Sequence, residues 1–135
     1  GSGREKVVIN LIVGSSDSPI AEAFTMALSR PQAGREALTA ILEPNLMTRP
    51  PTLIIPAVEV KNLRQASMIY GPVQAALAKA IADAVENGII PKNAVDKYLM
   101  IAKVKIHPDV LNRRLLYKNA YDAMLTAIKD VWAKR

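Results

Sequence analysis

The amino-acid sequence predicts an α/β domain of the α+β type, a mixed β-sheet of about four strands with helices packed on one face. Three observations carry that prediction. A β-branched run near the start alternates sides with a period of two, the elements read in the order strand, helix, strand, strand, helix, strand, helix, and two long segments repeat apolar residues at helical intervals. At 135 residues, the chain is long enough to bury a real core as one domain without cross-links.

Residues 6–13 form the first expected strand, with Val7, Ile9, Leu11 and Val13 on one face and Val8, Asn10 and Ile12 on the other. Gly14-Ser15-Ser16-Asp17 breaks it. Ser18-Pro19 then supplies an N-cap hydroxyl and a first-turn proline, so a helix begins there with Ile20, Ala23, Phe24, Ala27 and Leu28 as its buried stripe. Residues 31–34 end it. Residues 37–42 and 52–60 read as two strands joined by the loop 43–51, and Pro56 marks the second as an edge or bulged strand. Residues 62–70 look helical, Gly71-Pro72 interrupts, and residues 73–87 resume as an alanine-rich helix stopped by Gly88. Apolar residues run nearly all round that second segment, which predicts burial on more than one side and, in so small a domain, a second subunit as the cover. Residues 98–106 are the last strand. Beyond Pro108 a terminal helix carries Tyr117, Tyr121, Met124, Ile128 and Val131 on one stripe and Leu116, Ala120, Ala123 and Ala127 on the next.

Composition removes several classes of chemistry. With no cysteine, a disulfide framework, a thiolate metal site and a thiol nucleophile are all excluded, and the single histidine, His107, rules out a histidine cluster. No apolar stretch approaches the ~20 residues needed to span a bilayer and no signal peptide opens the chain, so a soluble cytoplasmic protein with no membrane partner is expected. The net charge of +6 makes an acidic partner conceivable. Yet the basic residues are scattered or terminal (Arg4, Lys6, Arg113, Arg114, Lys118, Lys134, Arg135) and stacking aromatics are sparse, so a solvated surface is preferred to a nucleic-acid interface. Gly1-Ser2-Gly3 looks like a linker, which leaves residues 4–135 as the single domain and raises engineering as an origin.

Four ordered landmarks go further: Glu43-Pro44-Asn45-Leu46, Gly71-Pro72-Val73-Gln74, Gly88-Ile89-Ile90-Pro91 and Ile106-His107-Pro108, with Gln65-Ala66 and Tyr121-Asp122-Ala123 in support. In order and spacing the chain resembles the formaldehyde-activating enzymes over residues 6–130. That resemblance implies condensation of formaldehyde with tetrahydromethanopterin, the family's cosubstrate, in a homopentamer whose sites lie between neighbouring subunits. No metal and no resident cofactor are implied. The family's strand before the first one seen here, and its tail beyond the last helix, both look truncated, and loss of that strand would open a sheet edge.

The chemistry needs an acid–base group, because the hydroxyl of the carbinolamine must be protonated to leave as water before the ring closes. Histidine suits this, its ordinary pKa lying near neutrality. The family carries it on the first strand, two residues before an aspartate. Here those positions are Val8 and Asn10. The remaining pterin-contacting positions correspond to Thr39, Ala57, Glu59 and Gln74, of which Gln74 alone matches the family. Exchange of a lysine for Ala57 and of a threonine for Glu59 is expected to turn a cationic site anionic. Val8 is most simply a space-filling strand residue, His107 a structural landmark, Gln74 a bridge within the helix pair, and Glu59 with Lys61 a surface ion pair worth little. The expected function is therefore a non-catalytic, self-assembling subunit on this fold, possible as an engineered component, with Leu125 and Ala120 offering an apolar surface on the last helix to a second protein component. The alternative is a natural paralogue that catalyses the condensation weakly or binds a pterin or aldehyde as carrier or sensor.

Overall fold

The computed structural model describes residues 5–29, 38–39, 41–43, 46–56, 67–107 and 109–134. Strand β1 (Val7–Ser15) is followed by helix α1 (Pro19–Ser29), the short strands β2 (Leu38–Thr39), β3 (Ile41–Glu43) and β4 (Leu46–Met47), and strand β5 (Thr52–Pro56). A π-helical turn (Ile69–Val73) leads into α2 (Gln74–Glu86); then come β6 (Tyr98–Ile106) and α3 (Arg113–Trp132). Four strands form one sheet in the order β1-β6-β5-β2, and β3 pairs with β4 apart from it. The sheet is mixed, as expected: β1 runs antiparallel to β6, β5 parallel to β6, and β2 antiparallel to β5.

Alternation along these strands sorts the residues onto two faces. The inner face carries Val7, Val13, Ile54, Met100, Ala102, Val104 and Ile106, which join the buried residues of α2 and α3 in one core. Leu116, Ala120, Met124, Ile128 and Trp132 supply the core side of α3, a spacing of three and four residues that keeps them on one flank. Asn112 caps α3, its Oδ1 accepting from the Leu115 backbone N–H at 3.0 Å. The buried Asn119 donates through Nδ2 to the Glu5 carbonyl at 2.9 Å and so ties the chain before β1 to that helix. Gly88 ends α2 with φ 78°, the left-handed conformation that favours glycine.

α1 lies on the other face. Its Ile20 meets Leu53 and Ile101 in a small second cluster, flanked by the half-buried Ile55 and Leu99. Among the described residues, α2 and α3 thus share the inner face, and α1 covers one end of the outer face.

Several local expectations are corrected. Gly71-Pro72 does not interrupt the helix: the Gln74 N–H bonds to the carbonyls of Ile69 and Gly71, so a widened turn absorbs the proline and passes directly into α2. Pro56 does not mark an edge strand, because β5 is flanked by β6 and β2 and the proline is its last residue, beyond the pairs Leu38↔Ile54 and Thr39↔Leu53. The Ser18 hydroxyl donates to the Ser15 carbonyl at 2.7 Å, and Ala23, expected in the buried stripe of α1, is exposed. The side chains of Phe24, Ala27 and Leu28 lie outside the described residues, as do positions 57–66 with the second half of the expected 52–60 strand.

The apolar circumference of α2 is also accounted for within one chain. Ala76, Leu77, Ala78, Ala80, Ile81 and Ala84 are all buried, because the helix is enclosed by α3 and the sheet together. A second subunit is not needed to cover it. Likewise Ala120 is fully buried in the chain's own core, and Leu125 is half-buried against that core, so these two do not form an exposed patch on the last helix.

Candidate functional site

The outer face of the sheet carries the first two positions singled out from sequence. Val8 is 44% exposed and Asn10 is exposed beside it, because both alternate out of phase with the core residues Val7 and Val13. Register places Lys105 across from Val8 and Lys103 across from Asn10, both exposed. Ile12, 46% exposed, sits across from Ile101 and, beyond it, Leu53. Thr39 pairs with Leu53 in the register, three strand spacings or about 14 Å from β1; its side chain lies outside the described residues, as do Ala57, Glu59 and Lys61.

Gln74 is not brought to this face. It opens α2, which belongs to the core on the inner side of the sheet. Within one chain the sheet therefore separates Gln74 from Val8 and Asn10. His107 follows β6, is exposed, and accepts the Asp109 N–H at Nδ1 over 3.0 Å; that bond leaves Nε2 as the protonated nitrogen of the neutral ring.

Lys103 and Lys105 escaped the sequence reading. The signal was present in the alternation of β6, where residues 101, 103 and 105 share a face, but which face they share with β1 is set by register. No residue type capable of general acid–base exchange near neutral pH stands at positions 8, 10 or 12. Among the described residues no group of histidine and carboxylate side chains could hold a metal ion.

An electrostatic cluster lies elsewhere, between α2 and α3. Tyr121 Oη donates to Asp83 Oδ2 at 2.5 Å, and Lys79 Nζ donates to Asp83 Oδ1 at 2.9 Å. The tyrosine hydrogen bond first, and the lysine second, hold the Asp83 carboxyl below the ordinary carboxylate range. The same bond raises the Tyr121 phenol. This is a latch between two helices.

A sequence model described as formaldehyde-activating enzyme (Fae) matches residues 1–135. The chain belongs to the formaldehyde-activating enzyme family. A protein of Archaeoglobus fulgidus named "Bifunctional enzyme Fae/Hps" is 49% identical over 129 residues, 96% of this chain and 33% of that protein. Its namesake in Methanosarcina mazei is 43% identical over the same coverage, and that of Methanocella arvoryzae is 41% identical over 134 residues, 99% of this chain and 34% of its own. The chain thus spans about a third of the length of the curated relatives it matches. Membership confirms the resemblance and with it the fold. Among the described residues no helix is long and apolar enough to cross a membrane.

Proposed function

We propose that this chain is a non-catalytic, self-assembling subunit with the formaldehyde-activating enzyme fold, a homopentamer in which the site positions have been replaced, by design or by drift. The observation that carries the first half is Val8, exposed on the outer sheet face at the position where the family's acid–base histidine is expected. An isopropyl group moves no proton. Loss of a positioned acid–base group removes about 10²- to 10⁴-fold in rate. The exposed Asn10 beside it offers no negative charge to hold an imidazolium.

The second half rests on the same face. Val8 and Ile12 stand nearly half exposed and Ile55 and Leu99 half-buried, while among the described residues Ile20 alone reaches across from a helix. Exposed aliphatic side chains grouped on one face are a contact surface. Because the sheet separates Gln74 from positions 8 and 10 within one chain, a neighbouring subunit would have to supply its own Gln74 for that residue to meet them. For a second protein component at the start of the last helix, the exposed large apolar side chains among the described residues are Leu115 on it and Leu111 just before it, 37% and 51% exposed.

The second reading, a paralogue that binds a pterin or aldehyde or catalyses the condensation weakly, is favoured by Lys103 and Lys105, which keep the face cationic where Ala57 and Glu59 were expected to make it anionic. The native mass decides the assembly: five times the 14.7 kDa chain, or a multiple of that, supports the proposal, and a monodisperse monomer at micromolar concentration refutes it. Ile12→Lys tests the surface, since a charge placed there leaves the fold intact and lowers the native mass.

A further inference from the structure

β1 forms one edge of the four-stranded sheet, and among the described residues no strand lies on its far side. It pairs with β6 along its whole length, from Val7↔Ile106 to Ser15↔Tyr98, with no bulge. Alternate residues of such a strand turn their backbone N–H and C=O groups away from the sheet, a row of donors and acceptors shaped for another strand. Folded proteins blunt an edge of this kind with charged side chains, proline, a bulge or short length. β2, at the opposite edge, is two residues long among the described residues. β1 runs for nine residues with neither charge nor proline.

The side chains of the strand indicate its occupant. Residues 7–13 read Val-Val-Ile-Asn-Leu-Ile-Val, an aliphatic palindrome about Asn10. Exposure follows the same symmetry: Val7 and Val13 are buried, Ile9 and Leu11 half-buried against the core, Val8 and Ile12 exposed at 44% and 46%. An antiparallel copy of β1 centred on Asn10 sets Val8 against Ile12 on the outer face, Ile9 against Leu11 on the inner face, and Asn10 against Asn10. Every aliphatic residue then meets an aliphatic one, and the two carboxamides, each both donor and acceptor, face one another. The β6 strands that carry Lys103 and Lys105 lie three strand spacings apart in such a pair, about 14 Å. That exceeds the ~8 Å screening length at physiological salt, so like charge does little to oppose the contact.

We propose that β1 pairs antiparallel with β1 of a second copy of this chain, about a two-fold axis through Asn10, so that two four-stranded sheets become one. The contact is isologous, residue 8 of each chain meeting residue 12 of the other. It rests on the self-assembly proposed above and adds a contact that one ring cannot complete. Five chains cannot all be paired two by two, so β1 joins rings to one another.

The chain has no cysteine, so one introduced thiol reports on one position. The two-fold brings the two residues 10 to a Cα separation of about 4.5–5.5 Å, inside the ~4.4–6.8 Å span of a disulfide. The two residues 8, offset by four positions along the strand, lie about 14 Å apart. Under mild oxidation of the native assembly, Asn10→Cys should therefore run as a covalent dimer in a non-reducing gel and Val8→Cys as a monomer, while Val8→Cys combined with Ile12→Cys should again give the dimer. In the parent chain, amide exchange should be slow at every residue from 8 to 12 rather than at alternate ones. An Asn10→Cys chain that stays monomeric, a Val8→Cys chain that cross-links to the same extent, or fast exchange at alternate amides would overturn the pairing; with a native mass of five chains, each of these leaves the ring intact. Cross-linked Asn10→Cys in an assembly of only two chains supports the pairing and overturns the ring.

Discussion

Replacing Tyr121 with phenylalanine removes the phenol that bridges α3 to Asp83 on α2 while keeping the ring. Hydrogen bonds to charged groups contribute about 1.5–3 kcal/mol. The lower end applies here, because the Asp83 side chain retains 22% of its exposure and keeps Lys79 as a second partner. The lysine contact is itself a largely exposed pair of helix neighbours, which is worth little. Tyr121→Phe should therefore cost about 1.5 kcal/mol near neutral pH, close to a tenfold change in the unfolding equilibrium. The cost depends on pH with a definite sign. Asp83 has its folded-state pKa below the unfolded value near 3.8, so its contribution is present above that value and is lost as pH falls through the folded-state pKa. Tyr121 is shifted the other way, upward from 10.0; its contribution is present below that value and is lost as pH rises through the folded-state pKa. The Tyr121–Asp83 hydrogen bond is the largest cause of both shifts, so the two limbs bound a single plateau. The assay is denaturant unfolding of parent and variant at matched protein concentration, since assembly couples to stability. A difference that persists undiminished in acid, or no difference at neutral pH, would refute the latch.

Other perturbations test other layers of the account. Leu77→Glu and Ile81→Glu each place an unpaired charge at a fully buried position; a cost on the order of 3–5 kcal/mol should leave both largely unfolded by circular dichroism. Gly88→Ala meets no atom within 4 Å but must hold φ 78°, so thermal unfolding should show a loss of about 1–2 kcal/mol from conformation alone. Val8→His by itself should leave formaldehyde condensation near background, because Asn10 supplies no partner charge and a restored acid acts only on substrate bound in register. Val8→His together with Asn10→Asp, Thr39→Leu, Ala57→Lys and Glu59→Thr should recover measurable activity, and a large rate from the single variant would contradict this reading of the other four positions.

Much of the fold was legible because its signals are local. The limits of β6 follow the alternation of residues 98–106, and the stop at Gly88 needs only a residue tolerant of positive φ. Gly71-Pro72 misled because propensity treats the pair as a break, whereas a widened turn can absorb a missing N–H inside a continuous helix. The apolar girth of α2 misled for a different reason: sequence shows that a helix is buried, but only packing shows whether its own chain or a neighbour does the burying. The candidate site was legible as single positions and not as a surface. Val8 and Asn10 could be placed on one side of a strand, yet the arrival of Lys103 and Lys105 opposite them depends on register between segments some 95 residues apart, and the separation of Gln74 from them depends on which face α2 takes.

The central claim is that the fold persists without its reaction, and the rate of methylene-tetrahydromethanopterin formation from formaldehyde tests it most directly. With the protein in a stopped-flow experiment, the observed rate should match the spontaneous reaction at every protein concentration. A rate that rises in proportion to protein and falls back when His107 is replaced by alanine would contradict the account, and would transfer the acid–base role from the vacant position at Val8 to the end of β6.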